Sequence, residues 1–153
     1  MEIASIEIAG QMRGICPMPG RTGDYSGDIA TLLAWSPALV VTLAETGELA
    51  ARGAAGLPAD LAAAGVEWLH LPIPDFGTPP RGLRADWPAL SARLLGAGRT
   101  VVHCMGGCGR SGMILLRLMI EAGEPAEAAL VRLRAARPCA GETKAQMRWA
   151  IGA

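Results

Sequence analysis

A cysteine and an arginine in one glycine-rich stretch have the types and the spacing to place a nucleophile beside a bound anion. The stretch reads His103-Cys104-Met105-Gly106-Gly107-Cys108-Gly109-Arg110-Ser111. Apolar runs on both sides of it are typical of a buried strand that leads into a buried helix. The N terminus of such a helix directs unpaired N–H groups and the positive end of its dipole at the stretch. Because glycines let the backbone curl so that further N–H groups converge, we predict a loop that binds a phosphate-like oxyanion.

The segment from Cys104 to Arg110, called the cradle loop below, offers two kinds of group to such an anion. Arg110 carries a planar fork of donors that matches two oxygens of a phosphate. Cys104 begins the loop, where a helix N terminus and a cationic neighbour favour the thiolate, the nucleophilic form of cysteine. We therefore predict Cys104 to be a nucleophile that faces the anion. The predicted phosphate-binding residues are Met105, Gly106, Gly107, Cys108, Gly109 and Arg110.

A second loop carries a single carboxylate. It spans Pro72 to Pro80, is rich in proline, contains Asp75 and is called the acid loop below. Expelling an alkoxide or a phenoxide from phosphorus requires a proton, which a carboxylic acid on a loop able to close over the phosphate can deliver. The other interpretation is a surface turn in which Asp75 only caps a backbone group.

Strands and helices follow one another in an order that suits a parallel sheet with the cradle loop at the carboxyl end of a strand. The predicted strands are 2–8, 38–43, 66–71 and 99–103. The predicted helices are 28–36, 45–53, 58–64, 84–95, 111–123, 125–137 and 142–151. Residues 10–27, rich in glycine and proline, are predicted to form a loop. We therefore predict one α/β domain over residues 1–153, with a parallel-dominated sheet of about four or five strands and helices on both faces.

Composition limits the expected partners. The chain has 153 residues, of which 51% are hydrophobic, and its 14 basic side chains balance its 14 acidic ones. This balance gives no argument for nucleic acid or an anionic membrane as a partner, and no apolar run approaches the length of a membrane span. The four cysteines, at positions 16, 104, 108 and 139, lack zinc-finger spacing, and a nucleophilic thiol needs a reducing compartment. We therefore expect a cytoplasmic protein that binds neither nucleic acid nor membrane.

The two loops together resemble the cysteine-dependent protein tyrosine phosphatase superfamily. His103-Cys104, five residues, and Arg110-Ser111 match its signature. The glycines between them are most similar to the dual-specificity branch, in particular to its kinase-associated phosphatase group. That group has a similar stretch around Asp75 that includes the run Gly77-Thr78-Pro79. The dual-specificity members carry their acid at a similar distance before the cysteine, since Asp75 lies 29 residues before Cys104.

The resemblance implies a phosphatase that hydrolyses phosphomonoesters through a phosphocysteine intermediate. Asp75 would protonate the leaving oxygen and then act as a base, Ser111 would stabilise the departing thiolate, and His103 would shape the loop through hydrogen bonds. The related group also has a threonine followed three residues later by a glutamine, matched here by Thr143 and Gln146. Gln146 would either reach the site or be an amide on a helix surface. The resemblance implies no metal and no other cofactor.

The sequence leaves the substrate open. Phosphotyrosine is expected, and a shallow cleft would admit phosphoserine and phosphothreonine too, on a protein or a small molecule; lipid and inositol phosphates are further possibilities. Two other functions stay open: a catalytically weak module that binds phosphate or a phosphoprotein, and a sulfur-transfer or arsenate-reducing enzyme with a related loop. The oligomeric state is not predicted.

Several residues near the two loops have two interpretations each. Cys108 would either form a disulfide with Cys104 after oxidation or be a small side chain chosen for its fit. Arg81 and Arg84 would either contact an acidic substrate segment or be solvated. The stretch that begins at Cys16 would either border the entrance of the site or be an ordered connecting loop.

Overall fold

One mixed sheet of five strands carries the fold of the computed structural model, which describes residues 1–152. The strands are β1 (Ala4–Ile8), β2 (Gln11–Cys16), β3 (Leu39–Thr42), β4 (Glu67–His70) and β5 (Thr100–His103). Their order across the sheet is β1-β2-β5-β3-β4, in which β1 and β2 are antiparallel and the other pairs are parallel. The predicted α/β fold with a parallel-dominated sheet is therefore confirmed.

Within residues 1–152, seven helices cover the two faces of this sheet. They are α1 (Tyr25–Ala34), α2 (Thr46–Ala51), α3 (Leu57–Ala63), α4 (Arg81–Gly96), α5 (Gly109–Glu121), α6 (Ala126–Ala136) and α7 (Lys144–Ile151). Helices α4 to α7 pack with Val41 and Val102 in one core, and α1 to α3 pack with Val40 and Val101 in the other. Successive strand residues point to opposite faces, so β2 to β5 supply both cores, whereas the edge strand β1 supplies only the first. None of these helices has the length and apolar character needed to cross a membrane.

The prediction of a loop over residues 10–27 is wrong for β2. Ala9 and Gly10 form a two-residue turn with φ of 51° and 77°, and Ile8 pairs with Gln11 across it. Two-residue hairpin turns of this kind need positive φ at both central residues. β2 then runs between β1 and β5 and is paired on both sides. Its neighbours therefore stabilise a strand whose own residues, among them Arg13 and Gly14, have little preference for one.

Arg13 connects β2 to the end of α4. Its side chain is buried, and Nη1 donates to the carbonyl oxygens of Ala97 (3.1 Å) and Gly98 (2.8 Å) and to Thr100 Oγ1 (2.9 Å). Nη2 donates to the carbonyl oxygen of Leu95 at 3.1 Å. An arginine at a helix C terminus satisfies carbonyl groups that lack intrahelical partners. Arg13 thereby fixes the turn that leads into β5, the strand that precedes the cradle loop.

Two helices begin three residues earlier than predicted. The Asp24 side chain accepts the N–H of Gly27 at 3.0 Å, so that α1 starts at Tyr25. An aspartate in this position satisfies one of the unpaired donors of the first turn. Helix α4 starts at Arg81, directly after the prolines that end the acid loop. The acid loop therefore leads directly into α4, without the intervening residues 81–83 that the sequence suggests.

The carboxyl ends of the four parallel strands lie at one edge of the sheet. β5 leads there into the cradle loop and β4 into the acid loop. The segment Pro17–Gly23 after β2, called the entrance loop below, lies against the cradle loop, and the Met18 N–H donates to the Met105 carbonyl at 3.1 Å. Open α/β sheets bind ligands at this edge. Three loops that are distant in the sequence thus meet at one site.

Candidate active site

Cys104, Asp75 and Arg110 line one cavity of about 110 Å³. Cys104 follows the last residue of β5 and is buried, and α5 begins at Gly109, two residues before the predicted start at residue 111. The structure therefore brings together the predicted nucleophile, acid and anion-binding arginine. The other residues that line the cavity are Arg21, Phe76, Met105, Gly106, Gly109 and Glu142.

The carbonyl groups of the cradle loop all have protein donors. Arg137, which follows α6, donates through Nη2 to the Gly106 carbonyl (2.9 Å) and through Nε to the Gly107 carbonyl (3.0 Å). The Cys108 carbonyl accepts from the N–H groups of Gly112 (2.9 Å) and Gly141 (3.1 Å). The Met105 carbonyl is bound by the entrance loop. The peptide units of the loop are thus fixed with their oxygens toward the protein.

The N–H groups of the same peptide units have no such partners. Within residues 1–152, no backbone N–H from Met105 to Ser111 donates to a protein acceptor. Buried N–H groups almost always find an acceptor in proteins, because leaving one unpaired costs free energy. A ring of unpaired N–H groups at the start of α5 is therefore an anion site.

Two glycines of the cradle loop are required by close contacts. Gly107 has φ of 66°, and a Cβ atom there would lie 2.4 Å from the backbone of Cys16. A Cβ atom on Gly109 would lie 2.4 Å from the Glu142 carboxylate and 2.9 Å from the Gln146 amide oxygen. The positions of these glycines thus follow from packing against the entrance loop and against the segment before α7.

Arg110 is held by two carboxylates and a carbonyl group. Nη1 and Nη2 each lie 2.8 Å from an oxygen of Glu48, in a bidentate pair, and Nη1 also donates to the Ile73 carbonyl at 2.9 Å. Nη2 lies 3.0 Å from Asp75 Oδ1. Burial alone would lower the pKa of Arg110, but the hydrogen bonds and charge of Glu48, together with the charges of Cys104 and Asp75, raise it overall. The hydrogen bond from Arg110 in turn lowers the pKa of Glu48. The guanidinium is therefore charged and fixed in orientation.

Glu48 has no counterpart in the sequence analysis. It lies in the first turn of α2, more than fifty residues from the cradle loop, and no motif connects the two. Its carboxylate also accepts the Glu45 N–H at 2.7 Å, which is the hydrogen bond of a capping box. The sequence pattern of that box is the only signal that could have marked Glu48, and it indicates a helix start and not a site.

Asp75 lies at the mouth of the cavity with its side chain 50% exposed. Besides its contact with Arg110, its Oδ1 accepts the N–H of Phe76 at 3.0 Å. The carboxylate therefore caps a backbone group, as one interpretation expects, and it also lies beside the cradle loop, while its role as an acid stays a prediction. Phe76 follows with φ of 59° and is 62% exposed. A bulky residue with positive φ stores strain, which is common at functional sites.

The side chains of Arg84 and Gln146 stabilise the acid loop through hydrogen bonds. Arg84 Nε donates to the Pro79 carbonyl at 2.7 Å, and its Nη2 donates to Thr78 Oγ1 at 2.6 Å. Gln146 Nε2 donates to the Gly77 carbonyl at 3.1 Å. Arg84 therefore stabilises the acid loop. Arg81 is exposed and does not line the cavity that contains Cys104 and Asp75.

The expectation that Gln146 is an amide on a helix surface is wrong, because its side chain is fully buried. Its Oε1 accepts the N–H groups of Thr143 (3.1 Å) and Glu142 (3.3 Å) while its Nε2 holds the acid loop. Gln146 does not line the cavity, but Glu142 does. The residue of this segment that faces the cradle loop is thus a carboxylate that sequence reasoning missed.

His103 takes part in a buried chain of hydrogen bonds below Cys104. Trp68 Nε1 donates to Thr42 Oγ1 at 2.8 Å, and the Thr42 hydroxyl lies 2.7 Å from His103 Nε2. His103 Nδ1 lies 3.4 Å from the Cys104 carbonyl oxygen, which has no proton to give, so the ring carries its proton on Nδ1. Burial lowers the pKa of His103 to about 4. The neutral ring therefore joins β3 and β4 to the first residue of the cradle loop.

Two buried polar atoms at the cradle loop lack hydrogen-bond partners. They are Arg110 Nε and Ser111 Oγ, on consecutive residues of the first turn of α5. An unpaired buried donor needs an explanation, and here it is consistent with a ligand group. Among residues 1–152, no group of three or more His, Cys, Asp or Glu side chains is arranged to hold a metal ion.

Cys108 forms a disulfide with Cys139 and not with Cys104. The Cα atoms of the bonded pair lie 5.1 Å apart, and the two residues are 31 positions apart in the sequence. The hypothesis of a Cys104–Cys108 bond is therefore corrected, and Cys104 is free. The bond connects the cradle loop to the segment between α6 and α7. The other free cysteine, Cys16, ends β2 next to His103, and burial raises the pKa of its thiol to about 12.

Loss of the Cys108–Cys139 disulfide should destabilise the protein. Cross-linking across a loop of this length stabilises a fold by about 3 kcal/mol, largely by restricting the unfolded chain. We expect a reductant to lower the free energy of unfolding of the wild type, measured in urea, by about this amount. Cys139→Ser should have the lower value without reductant and should not respond to reductant. Equal stability of the oxidised and reduced wild type would contradict the cross-link.

The buried neutral His103 should make stability fall in acid. Its pKa is about 4 in the folded protein and 6.5 in an unfolded chain, so the unfolded state binds more protons between these values. The contribution is fully present above pH 6.5 and is lost as the pH falls toward 4. We expect His103 to lower the free energy of unfolding by roughly 2 kcal/mol between pH 7 and pH 4.5. Urea unfolding of His103→Gln should give a correspondingly smaller decrease, and an identical decrease would contradict the assignment.

Similar proteins agree with this geometry. Residues 18–124 match the family described as "Polymorphic toxin system, DSP-PTPase phosphatase". The structure of Tk-PTP in its active form is 31% identical to this chain, with a TM-score of 0.69, and the match covers 97% of this chain and 94% of that one. No curated protein matches the chain.

Two further structures share the fold at lower identity. Kinase associated phosphatase (KAP), solved with its catalytic cysteine changed to serine, has a TM-score of 0.84 at 23% identity, over 98% of this chain and 92% of that one. PTPMT1 in complex with PI(5)P has a TM-score of 0.65 at 22% identity, over 92% of this chain and 87% of that one. The family match and the 31% identity to Tk-PTP show that the chain belongs to the DSP-PTPase family, within the dual-specificity branch of the cysteine-dependent protein tyrosine phosphatase superfamily.

Proposed function

We propose that the protein hydrolyses phosphomonoesters through a phosphocysteine intermediate on Cys104. One observation carries the proposal: Cys104, Asp75 and the charged fork of Arg110 line one small cavity whose wall is a ring of unpaired N–H groups. A nucleophile, an acid and an anion site within one cavity are the three parts that the reaction needs.

In the first step, Cys104 Sγ attacks phosphorus in line with the leaving oxygen. The S–P bond forms and the P–O bond breaks, and Asp75, entering the step protonated, gives its proton to the leaving oxygen. Asp75 is half exposed and lines the cavity, which supports its access to the leaving oxygen. The alcohol or phenol then leaves, and the phosphoryl group stays on Cys104.

In the second step, water attacks the phosphocysteine. Asp75, now ionised, accepts a proton from this water, the P–O bond forms and the S–P bond breaks. The thiolate leaves with its electron pair, and the unpaired hydroxyl of Ser111 supports a stabilising hydrogen bond to it. Glu142 adds a second carboxylate at the mouth, where it contributes negative charge beside the entering water.

The cradle loop and Arg110 stabilise the transition state in both steps. Its charge lies mainly on three equatorial oxygens, which the N–H groups and the guanidinium bind without rearrangement. Nε of Arg110 has no protein partner, whereas both Nη atoms are held by Glu48. Glu48 therefore sets the plane of the guanidinium and leaves Nε as the donor without a protein partner.

The entrance of the site supports phosphotyrosine as one substrate group. Phe76 lines the cavity next to Asp75 with most of its ring exposed, so an aryl group on the phosphate can pack against it. Serine and threonine phosphates would lack this contact but would meet the same cradle. The relative PTPMT1, whose complex holds PI(5)P, supports testing non-protein phosphates as well.

One prediction concerns the proposed roles of Cys104 as nucleophile and of Asp75 as acid. Cys104→Ser should lower the rate of aryl phosphate hydrolysis by roughly 10⁴-fold or more, because no nucleophile replaces the thiolate. Asp75→Asn should lower kcat by about 10²- to 10⁴-fold, because it cannot donate a proton. Vanadate, a phosphate mimic, should inhibit the wild type.

Phosphate release from a generic aryl phosphate measures both effects, with Asp86→Asn as a matched control. Asp86 is an exposed carboxylate on α4 that forms no side-chain hydrogen bond within residues 1–152. The control should retain wild-type activity. A folded wild type without turnover, whose fold is checked by circular dichroism, would contradict the proposal and favour a phosphate-binding module.

Another prediction concerns the orientation of the Arg110 guanidinium. Glu48→Gln keeps the size of the side chain but removes the charge that pairs with both Nη atoms, so the fork loses its fixed plane. We expect kcat/KM to fall by about 10- to 100-fold, the equivalent of one charge-assisted hydrogen bond. Glu45→Gln removes the same charge at a neighbouring position outside the pair and should cost less than about threefold. Equal losses in both variants would show that only the local charge matters.

A further inference from the structure

A second cavity, of about 440 Å³, adjoins the cradle cavity and shares Arg21 with it. Arg21 reaches close to the cradle loop, since its Nη1 lies 3.5 Å from the position that a Cβ atom on Gly106 would take. The second cavity is formed by the entrance loop on one side and the end of α2 on the other. Its lining residues are Gly20, Arg21, Thr22, Gly23, Ala51 and Arg52.

Hydrogen bonds fix the residues that line this second cavity. The Arg21 N–H donates to the Met18 carbonyl at 3.1 Å, and the Gly20 N–H donates to the buried Asp28 carboxylate at 2.9 Å. Arg52 Nη1 donates to the Arg21 carbonyl at 3.3 Å. A Cβ atom on Gly20 would lie 2.5 Å from the Arg52 carbonyl, so the entrance loop and α2 are in close contact. Arg21 and Arg52 are thereby kept side by side.

The positive charge of this pair has no counter-charge in the protein. Within residues 1–152, neither Arg21 nor Arg52 lies within 4.0 Å of a carboxylate oxygen, whereas five other cations form such pairs. The carboxylates nearby in sequence or on the facing helices are bound elsewhere. Asp28 binds the N-terminal amine and Gly20, Asp24 binds Gly27, and Asp60 binds the Tyr25 hydroxyl. Glu48, four residues before Arg52, binds Arg110. The cavity is therefore lined by two cations and no anion.

Another cavity beside the cradle loop has the reverse charge. It lies against Met105 and is lined by Glu45, Glu48 and Asp75. An anion next to the phosphate in the cradle would be repelled from that side and attracted to Arg21 and Arg52. The site thus distinguishes the two directions in which a substrate can extend.

We propose that Arg21 and Arg52 form a second anion subsite, which binds a further phosphoryl group of the same substrate while its reacting phosphate lies in the cradle loop. The proposal rests on the proposed function and deepens it, because it names the substrate class: phosphomonoesters with a second phosphoryl group close to the first. Paired arginines suit such a group, since their planar forks match phosphate oxygens. Arg21 joins the two sites and would contact both groups.

The test compares substrates that differ only in the second phosphoryl group. One pair is a phosphotyrosine peptide with serine or phosphoserine at the neighbouring position, and the other is an inositol monophosphate and a bisphosphate with adjacent phosphates. We expect kcat/KM to be about tenfold higher for the doubly phosphorylated member of one pair. The pair that shows the preference identifies the source of the second group. Salt screens exposed charges. The ratio of the two kcat/KM values should therefore decrease when the salt concentration is raised about tenfold, from roughly 50 to roughly 500 mM.

Variants at Arg21 and Arg52 test whether these arginines cause the preference for the doubly phosphorylated substrate. Arg21→Ala, Arg52→Ala and the double variant should bring the ratio close to one, whereas Arg148→Ala, an exposed arginine on α7 outside both cavities, should keep the wild-type ratio. Equal rates within both substrate pairs, or a preference that survives the double variant, would overturn the subsite.

Binding to Cys104→Ser separates this proposal from the proposed function. Calorimetry with the same ligands requires no turnover, so the subsite can be detected even if the wild type hydrolyses none of them. Tighter binding of the doubly phosphorylated ligand, lost in Cys104→Ser combined with the two arginine changes, supports the subsite. Equal binding of both ligands contradicts it, whatever the wild type hydrolyses.

Discussion

The orientation of the peptide units in the cradle loop is the constraint on which the site depends. A loop of this length has many backbone conformations, and only those with the N–H groups on one side make an anion site. Here the carbonyl groups are bound from outside by the entrance loop, by Arg137 and by the backbone next to Cys139. These contacts come from three distant parts of the chain. Much of the fold therefore serves to hold one short segment in a conformation that it would not keep alone.

The charges around the cradle are coupled through Arg110. Glu48 and Asp75 share its guanidinium, but they differ in exposure, because Glu48 is mostly covered and Asp75 is half exposed. The covered carboxylate fixes the arginine, while the exposed one lies on a loop and keeps access to solvent and substrate. Two carboxylates that contact the same cation thus suit separate uses: Glu48 fixes the position of Arg110, and Asp75 has the exposure that its proposed part in proton transfer requires.

The sequence predicted the parts of the site that are contiguous and missed those that tertiary contacts assemble. Cys104, Arg110 and the start of α5 follow from residues that are adjacent in the chain, and Asp75 from a loop with a distinct composition. Glu48 and Arg137 could not be found in this way, because their partners lie about sixty and thirty residues away and neither belongs to a local pattern. The strand β2 was missed for a similar reason, since pairing on both edges, and not its own residues, makes it a strand. The sequence left the position of Gln146 open, because helical spacing does not reveal which polar residue a neighbouring loop will cover.

The disulfide between Cys108 and Cys139 fastens the cradle loop on the side away from the nucleophile. An anion in the loop and the covalent bond both favour the same arrangement of peptide units, so their effects on the chain are linked. Linkage of this kind is reciprocal: whatever the bond contributes to anion affinity, a bound anion contributes equally to the persistence of the bond. In a mixture of thiols, substrate would thus protect the oxidised form, and the oxidised form would retain substrate. Measurements of phosphate affinity and of thiol exchange would therefore report the same coupling free energy between the anion and the disulfide.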